Sequence, residues 1–258
     1  MKKIILNIIT IICIIAIGIS GYKIFTTLKD YKKADNVYSN IRETKEETNL
    51  RDLSKKMAEI NSDYKCWINV DGTNIDYPVV QGSDNSFYLN HDFNKNYLSS
   101  GSIFMDYRNN FNNDLNTIIY GHHMRNSTMF AQIEKFKKED FFNNNKFVTL
   151  STEEGTYQYE IFAVGVFPAD FGYTQINFAD ENDFDNYIQK IMGKSIFTRN
   201  KVSYNDHIIT LSTCSYEFDD ARTALFAKRV NWYILIYLLC KKSNLYGRDC
   251  FFISFIIY

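Results

Sequence analysis

The sequence is poor in proline and lacks any long run of basic residues. Two prolines stand against 19 tyrosines and 21 phenylalanines in 258 residues. This composition argues against a disordered chain and favours aromatic, strand-rich packing. The formal net charge is −1, so the basic footprint of a nucleic-acid-binding protein is missing. The length leaves room for one ordinary soluble domain beside a membrane segment.

Paired cysteines are also lacking. The five cysteines form an odd set with no CxxC pair and no Cys/His spacing typical of structural zinc, so neither a disulfide framework nor a metal site is indicated. Cys13 lies in an apolar N-terminal run, and Cys240 and Cys250 lie in an unusual tail. Cys66 and Cys214 are therefore the candidates for a working thiol, although a body cysteine is more often a small buried hydrophobe.

An apolar run opens the chain. Residues 4–19 are nearly all Ile, Leu or small residues, and with residues 21–25 the stretch reaches about 20 residues, which is long enough to span a bilayer. A cleaved signal peptide is the alternative, because residues 16–18 (AIG) resemble a small-x-small cleavage site. We expect an uncleaved membrane anchor over residues 1–25. Lysines on both sides of the run leave its orientation open.

The segments on either side of the predicted catalytic domain differ from it in amino-acid composition. Residues 26–62 are rich in charged residues and Asn, and Leu50, Leu53, Met57 and Ile60 recur at helical spacing, which predicts a helical stalk or cap. The predicted catalytic domain covers residues 63–230. Residues 231–258 contain two short apolar runs on either side of a polar stretch, and each run is too short to cross a bilayer. We assign this atypical tail no role.

The predicted catalytic domain consists of short β-prone runs separated by turn residues. About eight strands are predicted, over residues 67–70, 75–80, 102–105, 117–120, 147–151, 157–167, 207–212 and 224–230. Residues 180–192 carry Phe184, Tyr187, Ile188 and Ile191 on one face and predict an inserted helix. The pattern indicates a mainly β fold, a closed barrel with helical additions.

The first chemical motif is a strand that ends in a thiol. Residues 208–214 (IITLSTC) are β-branched up to Cys214, a polar turn follows, and Arg222 comes eight residues after the cysteine. A guanidinium brought back beside the sulfur would favour the thiolate and could hold a developing oxyanion. Spacing alone is weak evidence, since any strand followed by a loop and a surface arginine would produce it.

The second motif is a strand that ends in Gly121, followed by His122 and His123. A thiol nucleophile needs a base, and its leaving amine needs an acid, so one of these histidines is a candidate proton carrier for Cys214. The other two histidines, His91 and His207, are interpreted as structural.

These motifs resemble those of the sortases. Residues 210–214 (TLSTC) resemble the sortase TLxTC signature, residues 121–122 resemble the family's histidine motif, and Arg222 fits its arginine. Residues 67–93 and 101–109 are similar to class B sortases, as is the helix at 180–192 before the penultimate strand. The likeness extends from about residue 30 to residue 230.

The resemblance implies an eight-stranded sortase-type barrel with N-terminal helices, held outside a Gram-positive cell membrane by a single-pass anchor. It implies a cysteine transpeptidase in which Cys214 attacks the Thr–Gly or Thr–Asn bond of a sorting motif in a secreted protein. An amine of a peptidoglycan precursor would then resolve the thioacyl enzyme. In the family the histidine directly follows the glycine, which favours His122 over His123 as the acid/base, with Arg222 steadying the oxyanion.

Substrate contacts carry over from the same resemblance: Asn85, Leu89 and Ser212, with Tyr173 and Ile176 on the loop before the helix. The last two could instead be solvent-exposed loop residues. The chemistry requires no cofactor. A papain-like hydrolase is disfavoured because its cysteine precedes its histidine. A non-catalytic, membrane-anchored β-barrel surface module with an inert Cys214 is the remaining alternative.

Overall fold

A computed structural model describes residues 2–111 and 113–230. The helices of this part of the chain are α1 (Lys2–Glu46), α2 (Leu50–Ile60), α3 (Glu139–Asn144) and α4 (Glu181–Lys194), with 3₁₀ helices at Phe87–Leu89 and Ala131–Lys137. The strands are β1 (Tyr64–Val70), β2 (Asp76–Val80), β3 (Ile103–Met105), β4 (Asn116–Tyr120), β5 (Phe147–Ser151), β6 (Thr156–Pro168), β7 (Phe197–Thr198), β8 (Ile208–Cys214) and β9 (Ala221–Arg229).

Eight of these strands form a closed barrel. The sheet order is β5-β1-β2-β3-β4-β8-β9-β6, and β5 also pairs with β6, which closes the ring. The short β7 pairs with β6 alone and lies outside the ring. The predicted eight-stranded barrel with N-terminal helices is therefore confirmed, with β7 as an extra strand that the sequence pattern did not indicate.

Strand pairing brings the two chemical motifs to one edge of the barrel. β4 pairs with β8 in parallel, so both strands end at the same edge, and β8 pairs with β9 in antiparallel orientation. The end of β8 carries the thiol, the start of β9 carries the arginine, and the end of β4 leads into the two histidines.

The predicted inserted helix is α4, which lies between β6 and β7. It begins after Asp180, whose side chain accepts a hydrogen bond from the amide of Asp183 and caps the helix. Its apolar face is buried, with Phe184 and Ile191 in a cluster that also contains Phe162 and Phe226 of the barrel. The helix therefore covers the outer surface of β6 and β9.

The long helix α1 (Lys2–Glu46) runs without a break through the predicted boundary between anchor and stalk. An 18-residue window in it has a mean hydropathy of 2.6 and is not buried, so this helix is long and apolar enough to cross a membrane. Its second half packs on the barrel: Tyr38 is buried and its hydroxyl donates to the carbonyl of Gly101 at 2.7 Å. Lys45 Nζ lies 2.5 Å from Asp76 Oδ1. The predicted division into anchor, stalk and catalytic domain stays a prediction, and the predicted tail at 231–258 lies outside the described residues.

Cys66, on β1, belongs to the barrel core. Its side chain is completely buried, and burial raises the pKa of its thiol to about 12. Such a thiol stays protonated near neutral pH and is a poor nucleophile. Of the two body cysteines, Cys214 is the one left with access to solvent.

Candidate active site

Cys214 is the last residue of β8 and is half-buried. Its register partner on the adjacent strand is Arg222 of β9. The turn between the two strands is closed by the Ser215 amide, which donates to the Ala221 carbonyl at 2.9 Å. The eight-residue spacing read in the sequence is thus a tight connection that returns the guanidinium to the strand position beside the thiol.

Arg222 is held by groups of its own turn. Its Nη1 donates to the Ala221 carbonyl at 2.9 Å, and its Nη2 lies 3.9 Å from Asp220 Oδ1. Asp220 is strongly exposed, so this ion pair is weak. The guanidinium has five donor hydrogens, and most of them stay available to an anion that forms on Cys214.

His122 reaches the same edge through the parallel pairing of β4 and β8. Tyr120 is the partner of Ser212, and the Gly121 amide continues the ladder by donating to the Ser212 carbonyl at 3.2 Å. His122 and Cys214 each lie two residues beyond that last pair, which brings the imidazole and the thiol to neighbouring strand ends. Within the described residues, Cys214 makes no side-chain hydrogen bond.

The ring of His122 is oriented by a backbone group. Its Nε2 lies 2.7 Å from the carbonyl oxygen of Leu89. A carbonyl can only accept, so Nε2 carries the proton in this contact, and Nδ1 is the basic nitrogen of the neutral ring. Leu89 thereby contributes its carbonyl to the site, beyond the side-chain contact that the sequence predicted.

Gly121 is required by packing. A Cβ atom at this position would lie 2.5 Å from Ile103 Cδ1 and 2.7 Å from Phe130 Cγ. Phe130 also holds the histidine segment through its backbone, because its amide donates to the His122 carbonyl at 3.0 Å.

The other three histidines have structural surroundings. The ring of His123 lies 5.2 Å from that of Tyr216, and its Nδ1 is buried without a partner among the described residues. His91 stacks on Phe87 at 4.0 Å. His207 Nδ1 lies 3.1 Å from the Asp114 carbonyl.

Ser212 and Tyr173, two predicted substrate residues, contact each other. Their hydroxyl oxygens are 2.9 Å apart, and both side chains are buried. Burial raises the pKa of Tyr173, the Ser212 hydrogen bond and the charge of Arg222 oppose the rise, and Cys214 adds to it. Tyr173 is therefore within electrostatic range of both the thiol and the guanidinium. Ile176 is also buried, so the interpretation of Tyr173 and Ile176 as exposed loop residues is wrong.

Asn85 and Leu89 belong to the segment that runs from β2 to β3. The Asn85 side chain donates from Nδ2 to Asp106 Oδ2 at 3.0 Å, and its Oδ1 accepts from the Tyr107 amide at 3.0 Å. The Leu89 side chain is 42% exposed, which leaves an apolar surface next to His122. The five predicted substrate residues thus lie on three segments: the β2–β3 connection, the end of β8 and the loop before α4.

Sequence reasoning missed a charged network behind the thiol. Glu134 accepts hydrogen bonds from Thr223 at 2.5 Å and Ser215 at 3.3 Å, and Lys137 bridges Glu134 and Glu217. Burial acts to raise the pKa of Glu217, but hydrogen bonds from Lys137 and Ser215 outweigh it and hold the value at about 2. No sequence signal marks this network, because Glu134 and Thr223 are 89 residues apart. Within residues 2–111 and 113–230, no group of His, Cys, Asp and Glu is arranged to hold a metal ion.

Comparison with known proteins agrees with this geometry. The sortase domain family matches residues 68–230, more than half of the chain. Sortase B of Staphylococcus aureus is 33% identical over 233 residues, which cover 86% of this chain and 96% of that protein. A mutant form of Clostridium perfringens sortase B is 44% identical with a TM-score of 0.72, covering 75% of this chain and 97% of that chain. A Staphylococcus aureus sortase B–substrate complex is 30% identical with a TM-score of 0.72, covering 79% and 99%.

The chain therefore belongs to the sortase family, whose members are cysteine transpeptidases. Within that family its relatives and structural neighbours are class B enzymes, and the chain is a class B sortase. The predicted family, fold and enzyme class are confirmed.

Proposed function

We propose that this sortase cleaves a C-terminal sorting motif of secreted proteins between Thr and Gly or Asn. It then joins the Thr carboxyl to an amine of a peptidoglycan precursor, so that the protein becomes attached to the cell wall. The observation that carries the proposal is the meeting of three strand ends, which bring Cys214, Arg222 and the His122 segment to one edge of the barrel.

In the first half-reaction Cys214 is the nucleophile. Its thiol first gives its proton to Nδ1 of His122, and the resulting thiolate attacks the Thr carbonyl carbon, so that a C–S bond forms and the carbonyl oxygen becomes an oxyanion. Arg222 is the register partner of Cys214 and stabilises that oxyanion. The C–N bond then breaks, and the leaving amine takes a proton from His122. The product is a thioacyl enzyme.

In the second half-reaction an acceptor amine attacks the thioacyl carbon. His122 accepts the proton lost by the amine, a new amide C–N bond forms, and the thiolate of Cys214 leaves. The Leu89 carbonyl holds the Nε2 side of the His122 ring, so both proton transfers use Nδ1. The alternative of a non-catalytic surface module gives no role to the meeting of Cys214, Arg222 and the His122 segment at one barrel edge, so no observation supports it.

The substrate groove is built from the residues around this edge. Ser212 and Tyr173 hold each other by their hydroxyl groups on one wall. Asn85 and the exposed side chain of Leu89 supply the other wall. Ile176 lies beside Tyr173 in the loop before α4 and contributes buried apolar surface. A peptide that lies between these walls passes beside Cys214.

The apolar part of α1 serves as the membrane anchor. It is apolar enough to span a bilayer, and the following turns of the same helix pack on the barrel. A catalytic domain on the outer side of the membrane would meet both substrates, since the sorted protein has been secreted and the peptidoglycan precursor is used outside the cell.

The test is cleavage of fluorogenic sorting-motif peptides by the full chain in detergent, with and without a soluble amine acceptor. We expect turnover of one motif, a new amide product when the amine is added, and loss of both with Cys214→Ala. Cys66→Ala is the matched control, and it should keep turnover. Activity that survives Cys214→Ala would rule out Cys214 as the nucleophile, whereas no turnover together with a Cys214 that resists alkylation would favour the non-catalytic surface module.

A further inference from the structure

Asp106 is a completely buried carboxylate that follows β3 and takes no part in the reaction described above. It accepts five hydrogen bonds. Three come from Arg108: its backbone amide and Nε reach Oδ1 at 3.0 and 2.9 Å, and its Nη2 reaches Oδ2 at 2.7 Å. The Tyr120 hydroxyl and Asn85 Nδ2 donate to Oδ2 at 2.9 and 3.0 Å. Buried carboxylates are retained only when they are this fully paired.

The partners of Asp106 come from the segments that carry the site. Asn85 lies on the β2–β3 connection, which also provides Leu89. Tyr120 is the last residue of β4, two positions before His122. Arg108 also reaches the Thr174 carbonyl at 3.5 Å, next to Tyr173. One carboxylate therefore joins the two walls of the groove to the strand that leads to the histidine.

The contact also decides which way the Asn85 amide faces. Asp106 can only accept, and the Tyr107 amide can only donate, so the Nδ2 and Oδ1 ends of Asn85 cannot be exchanged. One hydrogen of Nδ2 is used by Asp106. The second hydrogen of Nδ2 has no partner among the described residues.

We propose that Asp106 is a positioning residue for substrate recognition: it holds the Asn85 amide so that its second N–H donates to a backbone carbonyl of the bound sorting peptide. The inference rests on the proposed function, because it assumes that a peptide occupies this groove. Asp106 itself does not touch the peptide.

The charge state of Asp106 suits this role. Burial alone would raise its pKa, but the hydrogen bonds from Arg108, Tyr120 and Asn85 lower it below the ordinary value for Asp. The carboxylate therefore stays ionised over the working pH range, and an ionised acceptor binds an amide N–H more strongly than a neutral one does. An Asn side chain at position 106 would place its own N–H groups against the donors of Arg108, Tyr120 and Asn85, so some of these donors would lose their acceptor.

The first test replaces Asp106 with Asn in the full chain. We expect the KM for the sorting peptide to rise at least tenfold and kcat to change less than threefold, because the loss is in binding and the Cys214 chemistry is intact. Binding of a labelled peptide to the Cys214→Ala chain, with and without Asp106→Asn, gives the same comparison without turnover. Asp114→Asn is the matched control: Asp114 is also a buried carboxylate, and its partners are Asn109 Nδ2 and the Asn110 amide.

A double-mutant cycle separates positioning from general stability. In an Asn85→Ala background, Asp106→Asn should change peptide affinity less than twofold, because the amide that it orients is gone. An equal loss of affinity in both backgrounds would overturn the proposal. So would an Asp106→Asn chain that binds peptide as tightly as the unaltered chain.

A charge swap keeps the proposal testable if Asp106→Asn alone fails to fold. In the Asn85→Asp, Asp106→Asn double variant the carboxylate–amide pair is restored with reversed polarity. We expect its thermal unfolding temperature to recover only in part, because Arg108 and Tyr120 still lose their carboxylate acceptor, while peptide affinity stays at least tenfold low, since residue 85 now presents only acceptors. Recovery of both would show a merely structural role. Failure of the unaltered chain to turn over any sorting peptide would instead count against the proposed function, while the binding comparison would still test Asp106.

Discussion

The carbonyl oxygen of Leu89 lies 2.7 Å from Nε2 of His122. This contact joins a residue of the β2–β3 connection to the second residue after β4. It selects the ring tautomer without using any side chain except the imidazole. The nitrogen that faces away from Leu89 is then free for proton transfer.

His122→Gln should abolish catalysis while leaving the fold intact. A Gln amide can still donate to the Leu89 carbonyl, but it cannot carry a proton, so kcat/KM for peptide cleavage should fall at least about 10²-fold. The thermal unfolding temperature should stay within a few degrees of the original. His123→Gln is the matched variant and should keep most of the activity; the opposite ranking of the two variants would transfer the acid/base role to His123.

Arg222→Ala should lower kcat/KM by about 10²- to 10³-fold, the range found when one oxyanion-stabilising donor is removed. The reason is that Arg222 is the strand partner of Cys214, and its loss leaves the tetrahedral oxyanion without a fixed positive charge. Arg222→Lys should recover part of the rate, because it returns the charge without the planar fork. Arg229→Ala, at the far end of β9, controls for loss of any strand arginine, and an equal effect there would refute the assignment.

The Glu217 network should make the fold less stable in acid. The pKa of Glu217 lies at about 2, below its ordinary value of 4.5. A lowered pKa means that the network stabilises the folded chain above about pH 4.5 and that this stabilisation is lost as the pH falls toward 2. Calorimetry between pH 6 and pH 2.5 should therefore show a smaller decrease in unfolding temperature for Glu217→Gln than for the unaltered chain. Parallel curves for the two proteins would contradict the assignment.

Gly121→Ala should destabilise the barrel edge by about 1–3 kcal/mol, because the added methyl group has no room. It would approach Ile103 and Phe130 at 2.5 and 2.7 Å. Gly193→Ala is the control: a Cβ there meets nothing within 4 Å, and the position lies inside α4, so the change should be neutral or stabilising by about 0.5–1 kcal/mol. Denaturant unfolding of the two variants checks both values.

The sequence predicted the barrel because its strands are short, β-branched and separated by turn residues, a local signal. The same signal is absent at residues 197–198, where a two-residue strand is added to β6 by tertiary pairing alone. Cys214, His122 and Arg222 could be singled out because each lies at or next to the end of a strand. Their meeting depends on the parallel pairing of β4 and β8, which local sequence patterns do not specify. The expectation that the three residues meet came from the family resemblance.

Other parts of the site had no signal in the sequence. Asp106 follows a hydrophobic strand, but two of its partners, Asn85 and Tyr120, lie 21 residues before and 14 residues after it. Glu134 meets Thr223 across the barrel edge. Tyr173 lies in the loop before α4, where its hydroxyl contacts Ser212 of β8 and its carbonyl accepts from Tyr187 of α4, and no pattern of alternation predicts this burial. Long-range polar contacts of this kind become visible only in the folded chain.

The unbroken course of α1 has a consequence for where the chemistry can take place. From Phe25, at the end of the apolar stretch, to Tyr38, which binds the barrel, the helix rises about 20 Å at 1.5 Å per residue. A flexible tether would let the domain sample many heights above its anchoring surface. A continuous helix that is held to the barrel by Tyr38 and Lys45 instead fixes the distance between the apolar stretch and the domain. With the proposed anchor in the membrane, it would set one working height, at which the sorted polypeptide and the acceptor amine must both be presented.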